Sequence, residues 1–265
     1  MADAFSAGRE PWLARQGNLR NVVRQELVSR QLASHLDPAP ARVLDVGAGQ
    51  GTQAIRLARL GYDVLATEPD GQMRAACEAA LLGEPAEVAG RVRLGATPVE
   101  SLLDDLEPQS FDVVLCHGVL MYLDEPGPAL WALADLVAPG GVLSVLARNA
   151  DGMALRPGLR RQWADVLDLL DEAREPSPHY VNELGVRARA DRLEELASYI
   201  SGRRMHVEAW YGVRVLTDGV PVDEPAPSDP DELAALLDAE EQVGRTDPYR
   251  RVGTLLHVVG RRPAQ

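Results

Sequence analysis

A chain of 265 residues, 46% hydrophobic and 25% charged, can bury a sizeable core without disulfides or metal ions, and suits one large α/β domain or a domain with an elaborate insertion. Its formal net charge of −13 opposes phosphate binding and counts against an indiscriminate nucleic-acid binder, while leaving room for a local basic patch. Cys77 and Cys116 lie far apart and read as buried small hydrophobes of a reducing compartment, and no Cys/His group has zinc spacing, so neither a disulfide framework nor a metal site is expected.

The opening MADAFSAGREPW lacks a basic stretch followed by an apolar one. No uncharged apolar run approaches the roughly 18 residues of a membrane span. The expectation is a soluble cytoplasmic protein without a membrane partner. Residues 1–18 read as irregular. Residues 19–36 carry Leu19, Val22, Val23, Leu27 and Leu32 at helical spacing, and DPAPA then stops the helix.

RVLDV (42–46) is an apolar strand that runs into GAGQGT. The segment TQAIRLARLG reads as a helix closed by Gly61. DVLATE (63–68) is a second strand, GQMRAACEAALLG a helix, VRLG (92–95) a third strand and FDVVLCHG (111–118) a fourth. A helix over 126–138, a turn at 139–141 and a fifth strand over 141–149 follow. Strands alternating with helices imply parallel βαβ units with helices on both faces of the sheet.

After Asn149 the pattern changes. Residues 152–185 are mixed and interrupted by Pro157, Pro176 and Pro178, and a helix is expected near 187–201. Two β-rich runs, 207–217 and 253–261, would complete the sheet. Between them lie an acidic, Pro-rich loop and a short helix near 231–243. The resulting organisation is an N-terminal helical segment (1–40), a ligand-binding core (41–150), a helical insertion or lid (151–205) and C-terminal strands (206–265).

The strongest chemical signal is VLDVGAGQGTQAIRLA, a strand, a Gly-rich turn and a helix. Glycine lets the backbone turn tightly and approach a ligand, and the helix start offers free N–H groups. The spacing is G-x-G-x-G. A dinucleotide fingerprint would place its third glycine at 52, where this chain has Thr52, and a Walker A loop needs a lysine, of which the chain has none. Glu68 ends the second strand 21 residues beyond Gly47 (68 − 47), where a carboxylate can accept from both hydroxyls of a ribose.

With Asp45, Glu68, FDVVLCHGVLMYL and LVAPGGVLSV, the first 150 residues resemble the class I S-adenosylmethionine-dependent methyltransferases. The resemblance implies a doubly wound, Rossmann-like α/β fold of seven strands, the last antiparallel, here with a helical insertion. It implies S-adenosylmethionine as cofactor, bound by Asp45, Gly47, Ala48, Gly49 and Gly51, with Glu68 on the ribose, Val99 and Glu100 flanking the adenine, and His117 lining the pocket near the sulfonium. QGNLR (16–20), RNADG (148–152), GVRV (212–215) and DPYRRVGTLLHVVGRRP (247–263) resemble the tRNA carboxymethoxyuridine methyltransferase subfamily, which would put Arg20 on the cofactor carboxylate. The chain departs from that subfamily in Met121 and Tyr122, where Glu-Trp is usual, and in lacking a lysine-rich stretch in the insertion.

Methyl transfer from a sulfonium is a direct displacement, so the protein mainly positions the two partners. A carboxylate acceptor is already ionised at neutral pH and needs a cation to orient it, not a base. Arg148, Asn149 and Tyr122 are the catalytic candidates, with Arg214 and Arg250 as further cations and Tyr180, Tyr211 and Tyr249 as further hydroxyls. His179 belongs to a candidate lid, and His257, Trp131, Trp163 and Trp210 read as structural. Arg156, Arg160, Arg161, Arg187, Arg189, Arg192, Arg203 and Arg204 would form a phosphate-binding face if gathered on one side. The acceptor is expected to be a tRNA wobble-uridine carboxylate, a small molecule of specialised metabolism being the alternative and a cofactor-binding module without catalysis a third reading.

Overall fold

A computed structural model describes residues 8–264; the opening segment 1–7, on which part of the leader and irregular-stretch reading falls, lies outside the described residues. Within the stretch expected to be irregular, Arg9–Ala14 form a short helix, α1. It is held by the ion pair of Arg9 with Asp70 and by Trp12 Nε1, which donates to Gln50 Oε1 at 3.1 Å. The next helix, α2, spans Leu19–Ala33. The Asn18 side chain caps it by accepting from the Asn21 N–H at 2.9 Å, and its buried stripe includes Leu19, Val23 and Leu27.

The central elements follow the expected order. They are β1 (Arg42–Val46), α3 (Thr52–Arg59), β2 (Asp63–Thr67), α4 (Gly71–Leu81), a short α5 (Ala86–Ala89), β3 (Val92–Gly95), a one-turn α6 (Leu102–Asp105), β4 (Phe111–His117), α7 (Pro126–Leu136) and β5 (Val137–Arg148). Asp70 caps α4 by accepting from the N–H groups of Gln72 and Met73, both at 2.9 Å. The turn expected at 139–141 sits inside β5. The β4–β5 register jumps from Phe111↔Val137 to Val113↔Val142, and Gly140 takes φ +80°, so the turn is absorbed as an irregularity of the strand.

The insertion is less helical than its sequence suggests. It contains α8 (Leu155–Leu159) and α9 (Trp163–Glu172), then an antiparallel ribbon of β6 (His179–Val181) and β7 (Arg187–Arg189) where a helix was expected to begin, and finally α10 (Leu193–Ser201). Tertiary pairing of β6 with β7 overrides local preference. The chain ends with β8 (His206–Val213), α11 (Pro230–Gly244) and β9 (Leu255–Arg261). β8 stops before 217, because Arg214 at φ +58° leaves extended geometry.

One seven-stranded sheet carries the molecule, in the order β3-β2-β1-β4-β5-β9-β8. All neighbours are parallel except β9, which is antiparallel to both β5 and β8. The strand reversal on which the family resemblance turns is therefore present. On one face α7 buries Leu130 and Leu133 against β4 and β5, and α10 buries Leu196 and Ile200 against β8 and β9, with every one of these side chains fully excluded from water. Such burial stabilises by about 1.5–3 kcal/mol per side chain. On the other face α2 and α3 bury Leu32, Ala54 and Leu57 against β1 and β4. Trp163, expected in the core, is 64% exposed, and Trp131 lies at the surface against Tyr199 and Arg203. Among the described residues no helix is long and apolar enough to cross a membrane, and no cluster of His, Cys, Asp and Glu could hold a metal.

Candidate functional site

The C-terminal ends of β1, β2 and β4 open onto a cleft. The Gly-rich turn lies between β1 and α3, with Gly47, Gly49 and Gly51 all at positive φ (+67°, +59° and +83°). The main chain is pinned from behind: the N–H groups of Gly47 and Ala48 donate to the Thr67 carbonyl at 2.8 and 3.1 Å. A Cβ on Gly47 would stand 2.3 Å from Val119 Cγ2, so only glycine lets the turn pass the segment after β4. Gly47, Ala48, Gly49 and Asp45 line the cleft, while Gly51 is buried behind it.

Glu68 stands across from the turn. Its Oε2 accepts from the Gly49 N–H at 2.9 Å and its Oε1 from the Asp70 N–H at 2.8 Å. Burial raises its pKa, and those two N–H groups partly offset this. Asp45 is buried at the end of β1. Burial, then the neighbouring Glu68, pushes its carboxyl up to about 7, and the Ala54 N–H opposes the shift. The acid–glycine–acid arrangement expected from the spacing is assembled in three dimensions.

Other cofactor candidates fall elsewhere. Val99 is 1% exposed and packs into the core, Glu100 points to solvent, and neither lines the cleft, because the short helical turn at Val99–Ser101 turns their side chains away. Trp12, Arg24, Gln50, Asp70 and Met73 line it instead. Arg24 is one helical turn from Arg20 on α2, the periodicity that would have identified it. Burial, then the nearby Arg214, lowers its guanidinium to about 10. His117 ends β4 and lines the cleft as expected.

The cleft fits S-adenosylmethionine by three observations. A turn with three glycines at positive φ borders it, the Glu68 carboxylate stands across from that turn, and the Nδ1 of His117 is buried without a hydrogen-bond partner among the described residues.

A second hollow adjoins the cleft and shares Arg24, Met121, Tyr122 and Leu146 with it. Arg20 lies here, 2% exposed and ion-paired with Glu183 at 2.9 Å, so the structure puts it beside the cofactor cleft and not along it. Arg148 is 6% exposed; its guanidinium stacks over the Tyr180 ring at 5.1 Å, and Nη1 donates to the Thr254 carbonyl at 3.3 Å. Arg156 bonds Asp218 through Nε at 2.6 Å, and Arg214 reaches Asp218 at 3.2 Å.

Arg20, Arg156, Arg160 and Arg214 thus share two carboxylates, Glu183 and Asp218, while Arg148 is ion-paired with neither. The Nε atoms of Arg20, Arg148 and Arg214 have no hydrogen-bond partner among the described residues. Burial lowers the pKa of Arg148, and lowers Arg214 to about 10 against the pull of Asp218. Burial also works on Asp218, but Arg214 and Arg156 outweigh it and hold that carboxyl well below the usual range. The hollow carries unneutralised positive charge and unspent N–H groups, which is the chemistry of an anion site.

Tyr122 lines both cavities, and its hydroxyl accepts from Asn182 Nδ2 at 3.3 Å. Asn149 does not line either. Its Nδ2 donates to the carbonyls of Arg251 and Gly253 at 2.8 and 2.7 Å, and its Oδ1 accepts from the Asp151 N–H, so the side chain is spent on shaping the loop. Arg250 is drawn away by Trp210, over whose ring it stacks at 3.8 Å. Tyr180 lines the hollow, whereas Tyr211 packs on His257 and Tyr249 is exposed.

The arginines of the insertion do not gather on one face. Arg156 and Arg160 turn to Glu183, Arg189 is buried against Asp191 at 2.6 Å, Arg192 caps backbone carbonyls, and Arg203 covers Trp131. Arg156, Asn182 and Glu183, which complete the second hollow, and Asp218, which pairs with its arginines, come from segments without a sequence motif.

A family described as "Methyltransferase domain" matches residues 44–143. The chain is 28% identical to the tRNA 5-carboxymethoxyuridine methyltransferase of Escherichia coli (strain K12), over 99% of this chain and 95% of that protein. It is 34% identical over 160 residues to the ubiquinone biosynthesis O-methyltransferase of Xanthomonas axonopodis pv. citri (strain 306), covering 58% of this chain and 63% of that one. In fold it is similar to the crystal structure of magnesium protoporphyrin IX methyltransferase from Synechocystis PCC 6803, with TM-score 0.61 at 15% identity, over 98% of this chain and 97% of that one.

Proposed function

We propose, from the premise that this chain belongs to the class I S-adenosylmethionine-dependent methyltransferases, that it methylates the oxygen of a carboxylate bound in the arginine-lined hollow. The observation that carries this reading is the surplus of buried guanidinium N–H groups directly beside the cofactor cleft. The cofactor supplies an activated methyl group on a sulfonium. Arg148 and Arg214 orient an acceptor that is already ionised, so no general base is required. Tyr122, at the shared wall, limits the path between the two cavities. Asp218 and Glu183 hold Arg156, Arg214 and Arg20 in place, leaving their remaining N–H groups directed at the acceptor.

The leading acceptor is the carboxylate of a modified tRNA wobble uridine, supported by the full-length relative. A small-molecule acid of specialised metabolism is the second reading. It is favoured by the net charge of −13 and by the dispersal of the insertion arginines, which leave no broad phosphate-binding face.

Incubation with methyl-labelled cofactor and, separately, bulk tRNA and a small-molecule extract tests the reading. A carboxylate acceptor yields a methyl ester, so label released as methanol by mild alkali is expected. Alkali-stable label in either fraction overturns the carboxylate assignment. Alkali-labile label confined to the small-molecule fraction selects the second reading over the first.

A further inference from the structure

Behind His117 a chain of buried polar side chains crosses the sheet. His117 Nε2 lies 2.8 Å from Ser144 Oγ, and Ser144 Oγ lies 2.8 Å from His257 Nε2. His257 Nδ1 lies 2.7 Å from Gln31 Oε1 on α2. Ser144 and His257 are fully buried and Gln31 is 1% exposed. Nothing in the chemistry of methyl transfer calls for this arrangement, and buried polar groups are costly unless they are satisfied.

The placement of the Gln31 amide gives the chain its direction: Oε1 faces His257 Nδ1 while Nε2 is buried without a partner among the described residues, and because an amide oxygen only accepts, His257 Nδ1 carries the proton and His257 Nε2 is left bare. Ser144 then donates to His257 Nε2, and its oxygen accepts from His117 Nε2–H. A neutral imidazole has one N–H, so the Nδ1 of His117 is left as a lone pair. Both rings are neutral: burial, then Arg24, lowers His117 to about 3, and burial, then His117, drives His257 well below the usual histidine range. That bare Nδ1 is buried without a partner among the described residues, on a ring that lines the cofactor cleft.

The place of the ring decides what it meets. Val46 pairs with Thr67 on one side and with Cys116 on the other, so Glu68 and His117 flank the Gly47 turn from opposite sides. Both side chains line the same cleft, so a donor with its sugar at Glu68 and spanning the turn would bring its amino-acid end to the side of His117. The α-ammonium of that end has donors only and needs acceptors.

We infer that Gln31, His257 and Ser144 are positioning residues that lock His117 as its Nε2–H tautomer, so that its Nδ1 accepts a hydrogen bond from the α-ammonium of the bound donor. This inference rests on the donor reading above and deepens it. The relay makes an acceptor out of a side chain that could otherwise have presented N–H, and so selects a ligand with a free amine at that point.

Two measurements test it on the full chain. Long-range proton–nitrogen correlation on histidine-labelled protein reads the tautomers directly. The Nε2–H form of His117 and the Nδ1–H form of His257 are expected, with the His117 Nδ1 resonance moving upfield when S-adenosylhomocysteine is added. A His117 Nδ1–H form overturns the inference, and this reading requires no variant to fold.

Calorimetry then compares S-adenosylhomocysteine with its analogue lacking the α-amino group. The unaltered protein should prefer the amine by about tenfold to a hundredfold, the worth of a hydrogen bond to a charged group. In His117→Phe and in Gln31→Leu that preference should collapse, whereas Gln31→Glu, still an acceptor, should retain it. A preference unchanged in His117→Phe overturns the relay while leaving the donor site intact. Failure of the unaltered protein to bind either compound overturns the donor reading itself.

Discussion

Gly51 and Cys77 touch: a Cβ built on Gly51 would stand 2.3 Å from the Cys77 Sγ, at a backbone φ of +83°. The Gly-rich turn is therefore held against α4 as well as open to the cleft, and its third glycine serves packing more than ligand approach. Gly51→Ala should destabilise the protein by about 1–3 kcal/mol, from strain in the left-handed region and from the collision. Denaturant titration reads this loss. In the double variant Gly51→Ala/Cys77→Ala the collision is removed, so the combined effect should be smaller than the sum of the two single ones. Strict additivity would show that the contact is not the cause.

Glu68 braces the Gly49 and Asp70 amides, and in the proposed reading it also offers its carboxylate to a sugar. Glu68→Ala is expected to weaken S-adenosylhomocysteine binding by about 1–3 kcal/mol, through unpaired ribose hydroxyls and a loosened turn. Calorimetry measures it, and an unchanged affinity would refute the ribose assignment.

Arg148 faces the second hollow and lies outside the cleft lining, so its removal should separate the two sites. Arg148→Met keeps much of the stem that packs beside Tyr180 and deletes the guanidinium. Cofactor affinity should stay as it is, while kcat/KM for the acceptor falls roughly tenfold to a hundredfold. An intact rate removes Arg148 from the site.

Asp45 links the cleft to pH. Its folded-state pKa of about 7 lies above the ordinary 3.8, so the folded protein holds this proton more tightly than the unfolded chain. The stability tied to that proton is complete below the ordinary value and is lost as pH rises toward 7. Asp45→Asn cannot ionise and escapes the loss. Relative to the unaltered protein, the variant should gain thermal stability between about pH 4 and pH 7. A difference in Tm that stays constant across this range would rule out Asp45 as the titrating group.

Much of this molecule is written locally. The five strands around 42–149 announce themselves by apolar runs of the right length, and the Gly-rich turn by its spacing. The acidic partner at Glu68 follows because a strand–turn–helix–strand unit has a nearly constant length. Elements that depend on partners were illegible: the β6–β7 ribbon forms only because two short segments meet, and the turn at Gly140 is held inside β5 by its register with β4.

The site divides the same way. Asp45, Gly47, Gly49 and Glu68 stand next to strand ends, where chain direction alone aims them at one cleft. Asn149 sits at just such an end, yet its amide turns inward to the loop at Arg251 and Gly253, more than a hundred residues away in sequence. Arg20 and Arg24 share a helix, but which of them faces which cavity depends on how that helix rests on the sheet and on where Glu183 arrives.

The amino-acid order determined the class of fold and the place of the Gly-rich turn, because these rest on periodicity and on short-range spacing, and the methyl donor followed from the family resemblance that those motifs carry. Tertiary structure alone decided the arginine hollow and the histidine relay, because both join residues from opposite ends of the chain whose charge and proton placement have meaning only once they are buried together.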